Sequence, residues 1–169
     1  LTRGERWGVL GLGFCGYYLA SMLDFVGLQT ISAGLERLIL YLTPTLVLLC
    51  GWAWRGRAIT PGHLLATLVS YGGALLVFGF ELREMPGAAT AWGALWVLLS
   101  AASYALYLFF SGEVVQRIGS LRLVGLASSV ASACCIAHFL LVNPLAAARV
   151  AEPVLWLSLL NATLCTAVP

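Results

Sequence analysis

The side chains best suited to chemistry are the few ionisable ones inside long apolar runs: Asp24, Glu36, Arg37 and, nearer a run's end, His138. On insertion scales a charge at membrane depth costs roughly 2.5–3.5 kcal/mol, so such residues are functional candidates by default. Asp24 lies near the end of the first apolar run. Glu36 and Arg37 lie one turn into the second, entered from the same side. The turn at Gln29 and Thr30 is short, which makes the two runs antiparallel neighbours and lets Asp24 and Arg37 meet as an ion pair. One reading of Asp24, Glu36 and Arg37 is a gate, or a substrate-facing pair, at the mouth of a cavity. The other is a structural pair, or charges that snorkel to the interface. His138 reads as a hydrogen-bonded helix-end residue and His63 as an interfacial one.

Helical spacing aligns polar and aromatic groups into three stripes. Gly13, Tyr17, Ser21 and Asp24 share one face, Arg37, Tyr41, Pro44 and Leu48 a second, and Trp96, Ser100, Ser103 and Tyr107 a third. Pro44 falls mid-run, where it removes a backbone hydrogen bond and breaks the helix. Such breaks are tolerated in membranes beside a neighbour or a water-lined cavity. Together the stripes predict an amphipathic cavity lined by Tyr17, Arg37, Tyr41, Pro44, Trp96, Ser100 and Tyr107. The plainer alternative is helix–helix packing, with serines as small hydrogen-bonding contacts.

Several chemistries have no residues here. The chain contains no Lys and no phosphate-binding loop, no HExxH and no GxSxG, which argues against a nucleotide-driven motor or an enzyme. The five cysteines all lie in apolar runs without metal-ligand spacing and read as packing residues. No metal or cofactor is expected. The Asn161-Ala-Thr163 sequon lies inside a run and is discounted.

The elements that must hold the stripes follow from composition. Of 169 residues, 61% are hydrophobic and only 9% charged, and mean hydropathy is +0.95. A soluble domain carries about 25% charged residues, so a soluble or disordered chain is excluded. The net charge of +2 and scattered arginines exclude nucleic acid as a partner. Continuous runs, rather than two-residue alternation, favour membrane helices over a barrel. The expected architecture is an all-α integral membrane bundle with spans at about 7–28, 32–54, 60–80, 91–111 and 121–142. A sixth run opens at Pro153 and is cut off. A start at Leu1 and an end at Pro169 within an apolar run suggest a fragment of a longer protein.

Arginine placement predicts sidedness. Arg3, Arg6, Arg55, Arg57, Arg117 and Arg122 fall on one side of the alternating loops, and Arg37, Arg83 and Arg149 on the other. Short positive loops stay cytoplasmic, so the loop before Trp7 is expected inside.

The stretch Ser32-Ala33-Gly34-Leu35-Glu36-Arg37-Leu38-Ile39-Leu40-Tyr41-Leu42-Thr43-Pro44 resembles EamA-type permeases of the drug/metabolite transporter superfamily. Leu99 through Tyr107, Gly119 through Arg122, and Cys165 through Pro169 resemble parts of the second repeat of that family. The resemblance implies ten helices in two inverted five-helix repeats, of which this chain holds the third helix to the start of the eighth. Residues 1–85 would then be the later part of the first repeat and 86–169 the start of the second, dividing in the loop Glu81 to Thr90. The turn Arg55-Gly56-Arg57-Ala58 departs from the Gly-Glu-Arg-like turn frequent in the family, so no role of that Glu is carried over.

The implied function is a secondary transporter moving small organic metabolites or drugs across the inner or plasma membrane by alternating access. Its partners would be the substrate, the lipid bilayer and, left open, a coupling proton or ion; oligomeric state is not read. The alternatives are a non-transporting structural or sensory subunit and a membrane-embedded lipid-modifying enzyme.

Overall fold

The computed structural model describes residues 3–56, 60–84, 87–144 and 152–163, and no strand occurs among them. Arg57, Pro86, Arg149 and the stretch from Cys165 to Pro169, used in the sequence reading, lie outside the described residues.

Long apolar sequence free of internal breakers runs as helix, because a backbone in lipid must satisfy its own hydrogen bonds. Helix α1 (Arg3–Gly13), a π-helical segment (Phe14–Leu19) and α2 (Ala20–Leu28) form one continuous span. Helices α3 (Ala33–Leu40) and α4 (Thr43–Arg55) make a second, followed by α5 (Pro61–Glu84), α6 (Ala88–Ile118), α7 (Ser120–Val142) and α8 (Glu152–Leu160). Four of these stretches, Arg3–Leu28, Ala33–Arg55, Ala88–Ile118 and Ser120–Val142, are long and apolar enough to cross a membrane, with mean hydropathy of 1.5 to 1.8. The 24 residues of α5 also suffice by length, since about 20 residues span a bilayer core. The chain is a multi-pass membrane protein.

Ser32 starts α3 in extended conformation, and its Oγ accepts the Leu35 N–H at 3.1 Å, a regular N-cap. The second span breaks at Tyr41 and Leu42, just ahead of Pro44. Pro44 has no N–H to offer the Leu40 carbonyl, so the ladder is interrupted there.

Three boundaries correct the sequence reading. Helix α5 runs to Glu84 and α6 starts at Ala88, so most of the loop expected from Glu81 to Thr90 is helix. The first span begins at Arg3, earlier than Trp7. Helix α6 runs on to Ile118, past the span end expected at about residue 111. The extension is held by packing: Val114, Val115 and Ile118 lie against a buried cluster of Val9, Leu12, Tyr107 and Leu123. Gly119, at φ +85°, then supplies the left-handed backbone that turns the chain into α7.

The chain divides into two compact units, residues 1–134 and 135–169, with the division inside α7. The second unit holds the end of α7 and α8, none of whose residues is buried. In the first unit α6 is the central helix, touched by the first and second spans.

The seam between the first span and α6 is built from small residues, which let two backbones approach closely where no hydrophobic force separates helix from lipid. A Cβ on Gly16 would run into the Tyr107 ring, and one on Gly93 into the Thr30 hydroxyl and Ile31. Across this seam the Ser100 hydroxyl donates to the Ala20 carbonyl at 2.7 Å, and Ser103 to the Cys15 carbonyl at 2.8 Å. Cys15 O also accepts the Ala20 N–H five residues on, the widened ring of the π segment.

Candidate functional site

The break in the second span opens a groove toward α6. Leu40, Tyr41, Thr43, Pro44, Val47 and Leu48 form one wall, and Tyr104 and Leu108 of α6 the other, with His63 of α5 at one edge. Its volume is about 690 Å³, within the range of small-molecule sites. The wall follows from local sequence: Pro44 ends the α3 ladder early, and the following residues resume as α4 on a new register.

His63 is held by the residue that starts its own helix. Thr60 Oγ1 lies 2.9 Å from His63 Nδ1, and the His63 N–H reaches the same oxygen at 3.4 Å. Behind the groove, Tyr104 stacks on Tyr107, with ring centroids 5.7 Å apart. Tyr107 meets Tyr17 edge-on at 5.1 Å, and their hydroxyls lie 3.3 Å apart. An aromatic chain thus connects the groove to the buried face of the π segment.

The residues expected to line a cavity are distributed in three ways. Tyr41 and Pro44 line the groove, and Tyr41 is 68% exposed. Tyr17 and Tyr107 form the hydrogen-bonded pair behind it, while buried Ser100 is placed at the helix seam, its hydroxyl spent on Ala20. Trp96 lies exposed on α6.

Arg37 belongs to a separate cluster at the α2–α3 turn. Its Nε lies 3.4 Å from Oε2 of its neighbour Glu36, whose side chain is only 5% exposed. The Asp24 Oδ1 nearby is buried without a hydrogen-bond partner. The ion pair is therefore made within α3 instead of across the turn. Beside this cluster, Leu35, Leu38, Ile39 and Leu42 share an apolar cavity of about 370 Å³ with α5 and α6.

Sequence reasoning missed Tyr104, the lining role of His63, and an ion pair of Arg55 with Glu113. Tyr104 was within reach, since it follows Ser100 by one helical turn on the same face. The Arg55 pairing had no local signal, because its partner lies two helices away. Among the described residues no group of three or more His, Cys, Asp or Glu side chains is gathered to hold a metal.

Comparison with known proteins agrees with a helical membrane protein. Residues 1–79 match the EamA-like transporter family. The chain is similar to the uncharacterized transporter YcbK of Bacillus subtilis (strain 168), with 36% identity over 133 residues. That alignment covers 78% of this chain and 42% of the relative, so the chain spans less than half the length of the protein it resembles. No solved structure matches the chain. With a family match across both broken and unbroken spans of its first half, the chain is a membrane protein of the EamA-like transporter family.

Proposed function

We propose that this chain is part of a secondary transporter that carries small organic molecules by alternating access, with the groove between α4 and α6 as part of the substrate path. The observation that carries this reading is the broken second span, which turns Tyr41, Thr43 and Pro44 toward Tyr104 and His63 across about 690 Å³. Discontinuous membrane helices recur at transporter sites because the break frees backbone groups to face a ligand. Two phenol groups and an imidazole among aliphatic side chains suit an amphipathic organic molecule, with no fixed full charge in the wall to demand a matching ion.

In this reading Tyr17 and Tyr107 back the wall, while Asp24, Glu36 and Arg37 control the α2–α3 end. The arginine distribution supports a cytoplasmic position for the segment before Trp7. The family match ends at residue 79, near the end of α5 and ahead of α6, which supports a repeat boundary between these two helices.

Single cysteines at Tyr41, Pro44 and Tyr104, in a background without native cysteines, test the groove. Each is expected to react with a membrane-impermeant maleimide, and to do so from one side at a time as the protein is biased inward or outward. Labelling that fails at all three positions from both sides would overturn the assignment.

A further inference from the structure

The turn between α6 and α7 carries a second groove of about 690 Å³, which shares no residue with the one between α4 and α6. Arg117, in the last turn of α6, and Arg122, in the first turn of α7, both line it. Glu5, near the start of α1, adds one carboxylate. Both arginines are exposed. Two guanidinium groups against one carboxylate leave this mouth with a net positive charge.

Further along α7 the wall turns apolar. Leu121, Gly125 and Leu126 continue it as far as Ser129, whose hydroxyl donates to the Gly125 carbonyl at 2.8 Å and so turns back on its own helix. From Leu121 to Ser129 the helix rises about 12 Å. Leu123 and Ala127, on the other side of α7, are buried in the bundle. Leu121, by contrast, is 88% exposed, and a Cβ on Gly125 would meet nothing within 4 Å. The groove is therefore an outward-facing strip on a helix long and apolar enough to cross a membrane, charged at the helix end and apolar further in.

We propose that this groove binds one anionic phospholipid, with its phosphate at Arg117 and Arg122 and an acyl chain along Leu121 and Leu126. The planar guanidinium fork matches phosphate oxygens, which a point charge does less well. Basic recesses between membrane helices recognise acidic headgroups by this chemistry. Charge complementarity by itself would also admit a free phosphate. A free phosphate, however, gains nothing from the apolar wall, whereas a headgroup held at the helix end lays its chain beside that wall. Glu5 opposes the phosphate and keeps the site from binding more than one. The site stands on the groove alone and does not depend on the transport reading.

Native mass spectrometry counts the bound lipid directly. The protein is released from detergent micelles after titration with phosphatidylglycerol or with phosphatidylcholine of the same chains. One phosphatidylglycerol is expected to bind more tightly than phosphatidylcholine. Arg117→Gln and Arg122→Gln are each expected to weaken it about fivefold, and the two together roughly thirtyfold. Both residues are exposed, so neither variant threatens the fold. Glu5→Gln is expected to tighten binding. Arg3→Gln combined with Arg6→Gln removes equal charge at the start of α1 but outside the groove, and is expected to change little. Equal losses in the two arginine pairs would mean diffuse surface charge and overturn the site. Displacement by glycerol phosphate at concentrations that match the lipid would overturn the lipid reading in favour of a free anion. A doubled mass, with Leu126→Cys disulfide-linked between copies in a background without native cysteines, would put a second copy on the strip and overturn it too. No transported molecule enters the measurement, so a failed transport assay and a failed lipid site are separate results.

Discussion

Arg55, the last residue of α4, forms an ion pair with Glu113 of α6, and its guanidinium lies over the Phe109 ring at 4.9 Å from the centroid. Trp54 flanks the same place, 6.3 Å from Phe109 and 6.2 Å from Phe110. The second span and α6 are thus tied together at the end where α4 stops, beyond the groove residues Leu48 and Leu108. Gly56, in left-handed conformation at φ +59°, ends the helix so that Arg55 remains its last turn.

Breaking this tie is expected to change access more than stability. The side chains are 31% and 57% exposed, so solvent screens the pair and Glu113→Gln costs less than about 1 kcal/mol. Arg55→Ala also loses the ring contact, about 0.5–1 kcal/mol more. Denaturant unfolding in mixed micelles gives both numbers. A cysteine at Leu48 is expected to react faster with maleimide in the Glu113→Gln background, and an unchanged rate would remove any closing role for the pair.

The glycine seam yields a graded prediction. A Cβ on Gly27 would sit 2.5 Å from Val97 Cγ2 and 2.8 Å from the Gly93 carbonyl oxygen, and backbone has little freedom to give. Gly27→Ala, and Gly16→Ala against the Tyr107 ring, are each expected to destabilise by about 1–3 kcal/mol through overpacking. Gly72→Ala, on α5 with nothing within 4 Å, is expected to be neutral or to stabilise by up to about 1 kcal/mol. The order of the three unfolding midpoints checks this, and equal midpoints would refute the close seam.

What the sequence made legible, and what it did not, divides along a physical line. Hydropathy and helical period located the spans, and Pro44 located the break, because both depend on a few neighbouring residues. A helical wheel finds a shared face but not what that face meets. Ser100 and Tyr41 looked alike on that criterion, yet one is sealed against Ala20 and the other lines the groove. Arg37 had two carboxyls within reach, and the choice of Glu36 depends on side-chain geometry that spacing does not contain. The α6 extension escaped notice because Gly112, Glu113, Gln116 and Arg117 read as polar, while the apolar residues between them pack on the first span and α7.

The serines of the seam are expected to contribute modestly. Membrane hydrogen bonds between helices average about 0.6 kcal/mol, so Ser100→Ala and Ser103→Ala should each cost about that much. The acceptors, Ala20 O and Cys15 O, keep partners within their own span. Ser100→Val adds volume at a site only 3% exposed and is expected to cost more than the alanine variant. A cysteine at position 100 should also resist maleimide under conditions where one at Tyr41 reacts. Fast labelling at 100 would place that position in the substrate path instead.

Pro44 separates the two roles that a broken helix can play. Replacing it with Ala supplies an N–H four residues after Leu40, where proline has none to offer that carbonyl. If the break only tolerates Pro, Pro44→Ala leaves labelling at Tyr41 unchanged. If the break shapes the groove, the variant straightens the span, closes Tyr41 off and raises stability, since proline in a helix interior costs about 3 kcal/mol relative to alanine. The second outcome is expected, because Tyr41, Thr43 and Pro44 all line the groove at the point where the helix turns. The gain should be well under the full proline cost, as Pro44 already sits in the first turn of α4, where its missing N–H matters least. Unfolding midpoints and the Tyr41 labelling rate, measured on one preparation, decide it: higher stability with slower labelling supports a groove made by the break, and equal labelling refutes it.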